Sequence, residues 1–449
     1  MYLHIPLLVF LLANIAPSDA SLFARSSESV IRAATRARHN AIKRSTGLVR
    51  DLRLAYTGLL VQQPGGNTRC VSTNNGTSLT GGSGEGALGG NVSSLNGSTS
   101  AVTVTSPTQT GTIAQHASTT AGTQSTPSGS AQPSGGGSTS PWNLTQTYQG
   151  ESFFNGWVFQ TGPDSSTGGV VNYIDLPTSE AANITQINSA GNVVMRVETT
   201  PQVSTSRQSI RITTSYTYTG GLVIMDSVHM PTGCGTWPAF WSNGPNWPAG
   251  GEIDIIEGVH TYTNNQMTLH TNPGCNLPSA DSAALGITGT VLDGTDCSVA
   301  DTGNAGCGVR ATSSNTYGPG FNSNGGGVYA MQWDSNGISV FFFPRGSIPS
   351  DITANAPQPS TWGQPMANFP ASSCNPFEFF NSHSAIFDTT LCGGWAGSVW
   401  GDSGAPGQEQ SCAQMTGAAT CEDYVLNNGA AFSEAYWEVS SVKIYQPIS

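Results

Sequence analysis

The stretch Gly250-Gly251-Glu252-Ile253-Asp254-Ile255-Ile256-Glu257-Gly258 sets three acidic residues among β-branched apolar ones. Ile253, Ile255 and Ile256 argue for a strand, in which alternate side chains face opposite sides. Glu252 and Asp254 therefore share a face. Glu257, five residues from Glu252, points the other way in a regular strand. One extra residue at Ile255-Ile256, accommodated as a β-bulge, returns it to the face of the other two. Three carboxyl groups on one face repel one another and force their pKa values apart, so stability alone does not account for the pattern.

Two such carboxyls suit glycoside hydrolysis. A retaining glycosidase needs an ionised nucleophile and a protonated acid/base roughly 5–5.5 Å apart. Asp254 between them can share a proton with either. Spacing alone leaves open which glutamate takes which role.

Gly235-Thr236-Trp237-Pro238-Ala239-Phe240-Trp241 and Asn246-Trp247-Pro248-Ala249 precede the acids. Met267 to Thr271, Gly325 to Ala330, Phe341 to Arg345, Cys392 to Gly397 and Ala435 to Val439 follow them. Together these motifs resemble fungal glycoside hydrolase family 16, and within it the laminarinase-like endo-1,3(4)-β-glucanases. The resemblance covers residues 141 to 449. It implies an all-β fold: an antiparallel β-sandwich of jelly-roll, concanavalin A-like type, with the substrate cleft on the concave sheet. It implies Glu252 as nucleophile, Glu257 as acid/base and Asp254 as the residue tuning both. Trp241, Trp247, Trp395, His270, Arg207 and Asn172 match substrate-binding positions, whereas Trp237 and Trp437 read as core. The cell-wall crosslinking branch often has three residues rather than four between the outer glutamates, and this chain has four.

Composition supports the sandwich independently. Short β-rich runs such as Asn192 to Val197, Gly221 to Asp226 and Gly337 to Phe343 alternate with Gly, Asn, Pro and Ser, and no helical periodicity of useful length interrupts them. From residue 141 onward, 23 acidic residues meet only six basic ones, a balance of −17. That charge repels nucleic acid and anionic membranes and suits a neutral β-glucan partner. The expectation is a monomer without a cofactor; a structural calcium is not indicated, and no metal ligand set stands out.

Ile5 to Ile15 and the small residues through Ala20 read as a secretory signal peptide over 1–20, too short for a span of about 20 residues. Residues 21–63 form a basic segment with a dibasic Lys43-Arg44, compatible with a pro-region. Residues 64–140, rich in Gly, Ser and Thr, read as a flexible linker carrying sequons at Asn75, Asn91 and Asn96. Residues 141–449 are the catalytic domain, with further sequons at Asn143 and Asn183. Of nine cysteines eight lie in that domain, favouring disulfides and an extracellular, secreted protein, with or without cell-wall association. Cys297–Cys307 and Cys412–Cys421 are the local pairings that spacing suggests. Two alternatives remain: a transglycosylase of the same fold, and a non-catalytic glucan-binding lectin.

Overall fold

The computed structural model describes residues 140–278 and 281–448. The expected leader, the basic segment, Cys70, the sequons at Asn75, Asn91 and Asn96, and the linker up to residue 139 lie outside the described residues. Two eight-stranded sheets carry the fold. One runs, in spatial order, Thr290–Val291, Cys307–Arg310, Gln266–His270, Glu252–Glu257, Thr236–Asn243, Ser384–Leu391, Arg211–Thr214 and Trp157–Phe159. The other runs Ala367–Pro370, Gly337–Pro344, Gly327–Asp334, Gly221–His229, Tyr436–Pro447, Val193–Arg196 and Thr185–Ile187, with Trp142–Gln149 paired onto Tyr436–Pro447. Pairing within both sheets is antiparallel. A small third sheet, Gly162–Pro163, Val171–Tyr173 and Arg207–Ser209, contains the parallel pair Val171–Tyr173 with Arg207–Ser209.

Alternation builds the core. Phe240, Ile253, Ile256, Met267, Leu269 and Phe387 from the first sheet meet Val193, Met225, Met331, Trp333 and Trp437 from the second in one buried cluster. Each such side chain contributes about 1.5–3 kcal/mol of transfer free energy. This is the expected all-β sandwich. The sheets differ in what lies on their far faces. Leu222, Ile224, Val328, Ala330 and Phe341 of the second sheet are covered by Ile352, with Trp142, Ile348 and Trp362 packed alongside. The first sheet instead carries its acids on that face, which makes it the site-bearing sheet.

Four disulfides join Cys234–Cys412, Cys275–Cys374, Cys297–Cys307 and Cys392–Cys421. The short 297–307 loop is closed as spacing suggests, but the expected Cys412–Cys421 pair is not formed. Ser411 and Thr420 each cap a helix, so both cysteines open separate short helices, Cys412–Thr416 and Cys421–Asn427. Each helix is bonded outward, to the entry of Thr236–Asn243 or the exit of Ser384–Leu391. Asn143 and Asn183 are exposed. Among the described residues no helix is long and apolar enough to cross a membrane.

Candidate active site

The register of the acid-bearing strand settles its geometry. Glu257 lies opposite Ala239 and Ile256 opposite Phe240, and then Asp254 lies opposite Trp241 and Glu252 opposite Asn243. Ile255 is the unpaired residue, and pairing with Gln266–His270 shifts over the same interval. Directly opposed residues share a face, so the bulge puts Glu252, Asp254 and Glu257 together. A bulge frees backbone polar groups that need partners. Buried Asn265 supplies them: its Oδ1 accepts from the Glu257 N–H at 3.0 Å and its Nδ2 donates to the Ile255 carbonyl at 2.8 Å. Nothing in the local sequence marks Asn265 for this duty.

Indole donors hold the outer acids. Trp247 Nε1 donates to Glu252 Oε2 at 2.6 Å, and Trp237 Nε1 donates to Glu257 Oε1 at 2.8 Å. Trp247 is 43% exposed at the tip of a loop whose ends nearly touch. A side chain on Gly250 would meet the backbone of Gly244 and Pro245, and Gly251 sits at φ +76° against Phe380. His383 Nε2 and the Asn381 N–H both bond the Gly250 carbonyl, anchoring that loop from behind. His270 Nε2 lies 3.4 Å from Asp254 Oδ2 and 4.0 Å from Glu252 Oε1.

Protonation follows from this crowding. Burial pushes Glu252 up to about 7; the Asp254 charge adds to the shift, while His270 and the Trp247 hydrogen bond oppose it. Burial, then the charge of Asp254, pushes Glu257 well above the usual carboxyl range. Asp254 is pushed up by burial and by Asp388. Ionisation of one member of the trio disfavours ionisation of its neighbours, and an indole donor and the His270 imidazole favour the charged form of both Glu252 and Glu257. One oxygen each from Glu252 and Asp254 and a ring nitrogen of His270 lie within 4.8 Å of one another. That set could gather a cation, and its spacing equally suits proton sharing.

The same register extends sideways. Arg310, Gln266, Glu257, Ala239, Asp388 and Arg211 are successive direct neighbours across six strands, forming one row on the acid face. Asp388 pairs with Arg211 at 3.7 Å and is pushed up to about 6 by burial, Arg211 opposing. Arg211 lies 5.0 Å over the ring of Trp241, which is 8% exposed and forms floor rather than rim. Trp395 is half-buried and meets Trp237 edge-on at 5.7 Å.

Three sequence expectations change. Trp237 packs against the core but is only partly buried, and its indole is the donor to Glu257. Its spacing of four from Trp241 on one strand was the available signal. Arg207 is fully buried, its Nε donating to the Val425 carbonyl and its Nη1 to the Thr200 carbonyl, both at 2.6 Å. It is Arg211, four residues on, that reaches the acid face, because the chain passes from the three-stranded sheet to the site-bearing sheet between them. Asn172 stands half-buried on the three-stranded sheet, off the sheet that bears the acids. Trp437 is core, as read.

Residues 157–445 match the family described as XgeA-like, catalytic GH16 domain. The chain belongs to glycoside hydrolase family 16. Among curated relatives, a probable glycosidase of Schizosaccharomyces pombe is 43% identical over 308 residues, covering 68% of this chain and 69% of that one. A probable endo-1,3(4)-β-glucanase of Aspergillus niger is 44% identical over 313 residues, 69% of this chain and 40% of that protein. The chain thus spans less than half the length of that Aspergillus relative. Laminarinase 16A of Phanerochaete chrysosporium, solved with 6-O-glucosyl-laminaritriose in donor and acceptor sites, is 38% identical with a TM-score of 0.61 over 68% of this chain and 99% of its own. An elongating family 16 β-1,3-glucosyltransferase is 40% identical, also at 0.61, over 68% of this chain and all of its own.

Proposed function

We propose that this protein is a retaining endo-β-glucanase that cuts β-1,3 or mixed β-1,3/1,4 glucans. The observation that carries the reading is the bulged strand, which brings Glu252, Asp254 and Glu257 to one face. Glu252 attacks the anomeric carbon while Glu257 gives its proton to the departing glycosidic oxygen. The resulting glycosyl-enzyme is released when Glu257 takes a proton from water and the water oxygen displaces Glu252. As Glu252 loses its charge to the ester, its repulsion of the neighbouring Asp254 carboxylate is relieved. Exposed Trp247 offers an apolar face to a pyranose ring beside the nucleophile.

The test is reducing-sugar release from laminarin, lichenan and carboxymethyl cellulose, with products sized. Glu252→Ala, Glu252→Gln and Glu257→Ala should each nearly abolish release, and persistence of activity without Glu252 would sink the reading. Transfer to a sugar acceptor is a second reading, favoured by the similarity to the elongating glucosyltransferase, and product sizing shows it as chains longer than the substrate. Four disulfides and the leader-like run Ile5 to Ile15 support an extracellular setting. We also infer a domain order of signal peptide, basic segment, linker and catalytic domain beginning near residue 141.

A further inference from the structure

We infer that His383 is a positioning residue for the nucleophile: through the Gly250 carbonyl it holds the Trp247 loop so that the indole N–H stays on Glu252. The inference rests on the retaining reaction just proposed, since it takes the charged form of Glu252 as the form that attacks.

The loop from Gly244 to Gly251 joins the strand Thr236–Asn243 to the acid-bearing strand. Its base is closed by the Gly244 N–H donating to the Gly251 carbonyl at 3.0 Å. Inside it, the Ala249 N–H donates to the Asn246 carbonyl and the Gly251 N–H to the Pro248 carbonyl, both at 2.9 Å. These bonds are internal, so they set the shape of the loop and not its tilt against the sheet. The polar hold from outside falls on the Gly250 carbonyl, two residues before Glu252. It accepts from His383 Nε2 at 2.9 Å and from the Asn381 N–H at 3.2 Å.

The direction of each bond follows from donor chemistry. A carbonyl oxygen only accepts, so His383 Nε2 carries a proton. A neutral imidazole has one N–H, so Nδ1 accepts, and the Ser242 hydroxyl donates to it at 2.9 Å. Ser242 and His383 are fully buried. The rings of Trp333, Phe380 and Tyr218 enclose the imidazole, with centroids 5.0, 5.8 and 6.3 Å away. Of these only Tyr218 titrates, and burial keeps its hydroxyl protonated. Burial likewise pushes His383 down to about 4, the Gly250 hydrogen bond opposing, so the ring works as a neutral post. Any two buried partners would satisfy a histidine that served stability alone. This one ties the strand entering the loop, through Ser242, to the last turn of the loop, through Gly250. At the tip, the Trp247 indole bond favours the charged form of Glu252 against burial and the charge of Asp254, with His270 and Arg211 acting in the same sense as the indole. A loop that tilts away removes the indole and leaves the other three charges in place.

The experiment is the pH profile of kcat/KM on laminarin, taken on the full chain with Tm followed alongside. His383→Gln keeps an N–H near the Nε2 position, whereas His383→Asn, one methylene shorter, reaches Ser242 but not Gly250. Both lose the ring, so both should lower Tm. Only the Asn variant should move the acidic limb, upward by about half a pH unit or more, with the Gln variant within about 0.2 unit of wild type. In a Trp247→Phe background His383→Asn should add no further shift, because the donor it positions is already gone. A limb unmoved in His383→Asn, moved equally in both variants, or moved as far with Phe at 247 as with Trp, overturns the inference. If the Asn variant does not fold, imidazole nitrogen NMR shifts of the native protein decide. A neutral Nε2–H tautomer from pH 5 to 8 supports the post, and a charged ring or the Nδ1–H tautomer overturns it. Wild-type protein that releases no sugar at any pH would instead refute the glucanase reading, with the tautomer measurement still testing His383 on its own.

Discussion

Asn265→Ala tests whether the bulge is held in place or merely tolerated. The substitution strips the Ile255 carbonyl and the Glu257 N–H of their side-chain partner in one step. Leaving a buried backbone group unsatisfied costs about 1–3 kcal/mol. Two such groups, with partial relaxation, give a destabilisation of about 3 kcal/mol. For a domain of this size that corresponds to a fall in Tm of about 6 °C. The catalytic effect should exceed what lost stability explains. Glu257 is then free to slide toward the unbulged register, and a displacement near 1 Å in a reacting group costs on the order of 100-fold in rate. Differential scanning calorimetry and initial rates on laminarin, both well below the lowered Tm, read the two effects separately. Asn265→Asp sharpens the test, because it retains the acceptor for Glu257 N–H but cannot donate to the Ile255 carbonyl once ionised. A variant with wild-type kcat and a Tm shift below about 1 °C would refute the clamp.

Three further outcomes follow from the site and its supports. Trp247→Phe keeps a ring but removes the donor that lowers the Glu252 pKa; the acidic limb of the kcat/KM profile should move to higher pH, and an unmoved limb with intact folding would contradict the assignment. Glu252 is raised in the folded protein to about 7 from the ordinary 4.5 of a free carboxyl, so its contribution to stability is present at low pH and lost as pH rises through that interval. Tm measured from pH 5 to 8 should therefore decline less steeply in Glu252→Gln than in wild type, by at most one proton, about 1.4 kcal/mol per pH unit; a steeper decline would reverse the sign of the shift. Replacing Cys297 and Cys307 together by Ala should cost about 3 kcal/mol by loop entropy, read by urea unfolding, and an unchanged midpoint would show the loop is held by its other contacts.

Much of this site was legible because it is local. The spacing of five positions from Glu252 to Glu257, with isoleucines at 253, 255 and 256, calls for a bulge if both glutamates are to share a face. The Trp247 loop sits within one hairpin of its target, so glycines and prolines next to the acids pointed to it. What was misread depended on partners far away. Arg207 and Arg211 are equally good cations in sequence, and only the change of sheet between them decides which reaches the acids. Asp388 and Arg310 join the Glu257 row through strands 131 and 53 residues distant in sequence, pairings that no periodicity reports. Trp237 was lost differently: a Trp in a strand defaults to core, although its parity with Trp241 placed it on the acid face.

The disulfide pattern bears on how the chain can be made. Cys297–Cys307 lies within the span of Cys275–Cys374, which lies within that of Cys234–Cys412, while Cys392–Cys421 straddles the last of these. During synthesis Cys234 must wait 178 residues for its partner, while Cys275, Cys297 and Cys307 emerge as nearer rivals. Thiol exchange rather than first contact must then settle the outer pair. Recombinant yield should accordingly depend more on an isomerase than on oxidant strength, and an early oxidative burst should trap Cys234 with the wrong neighbour.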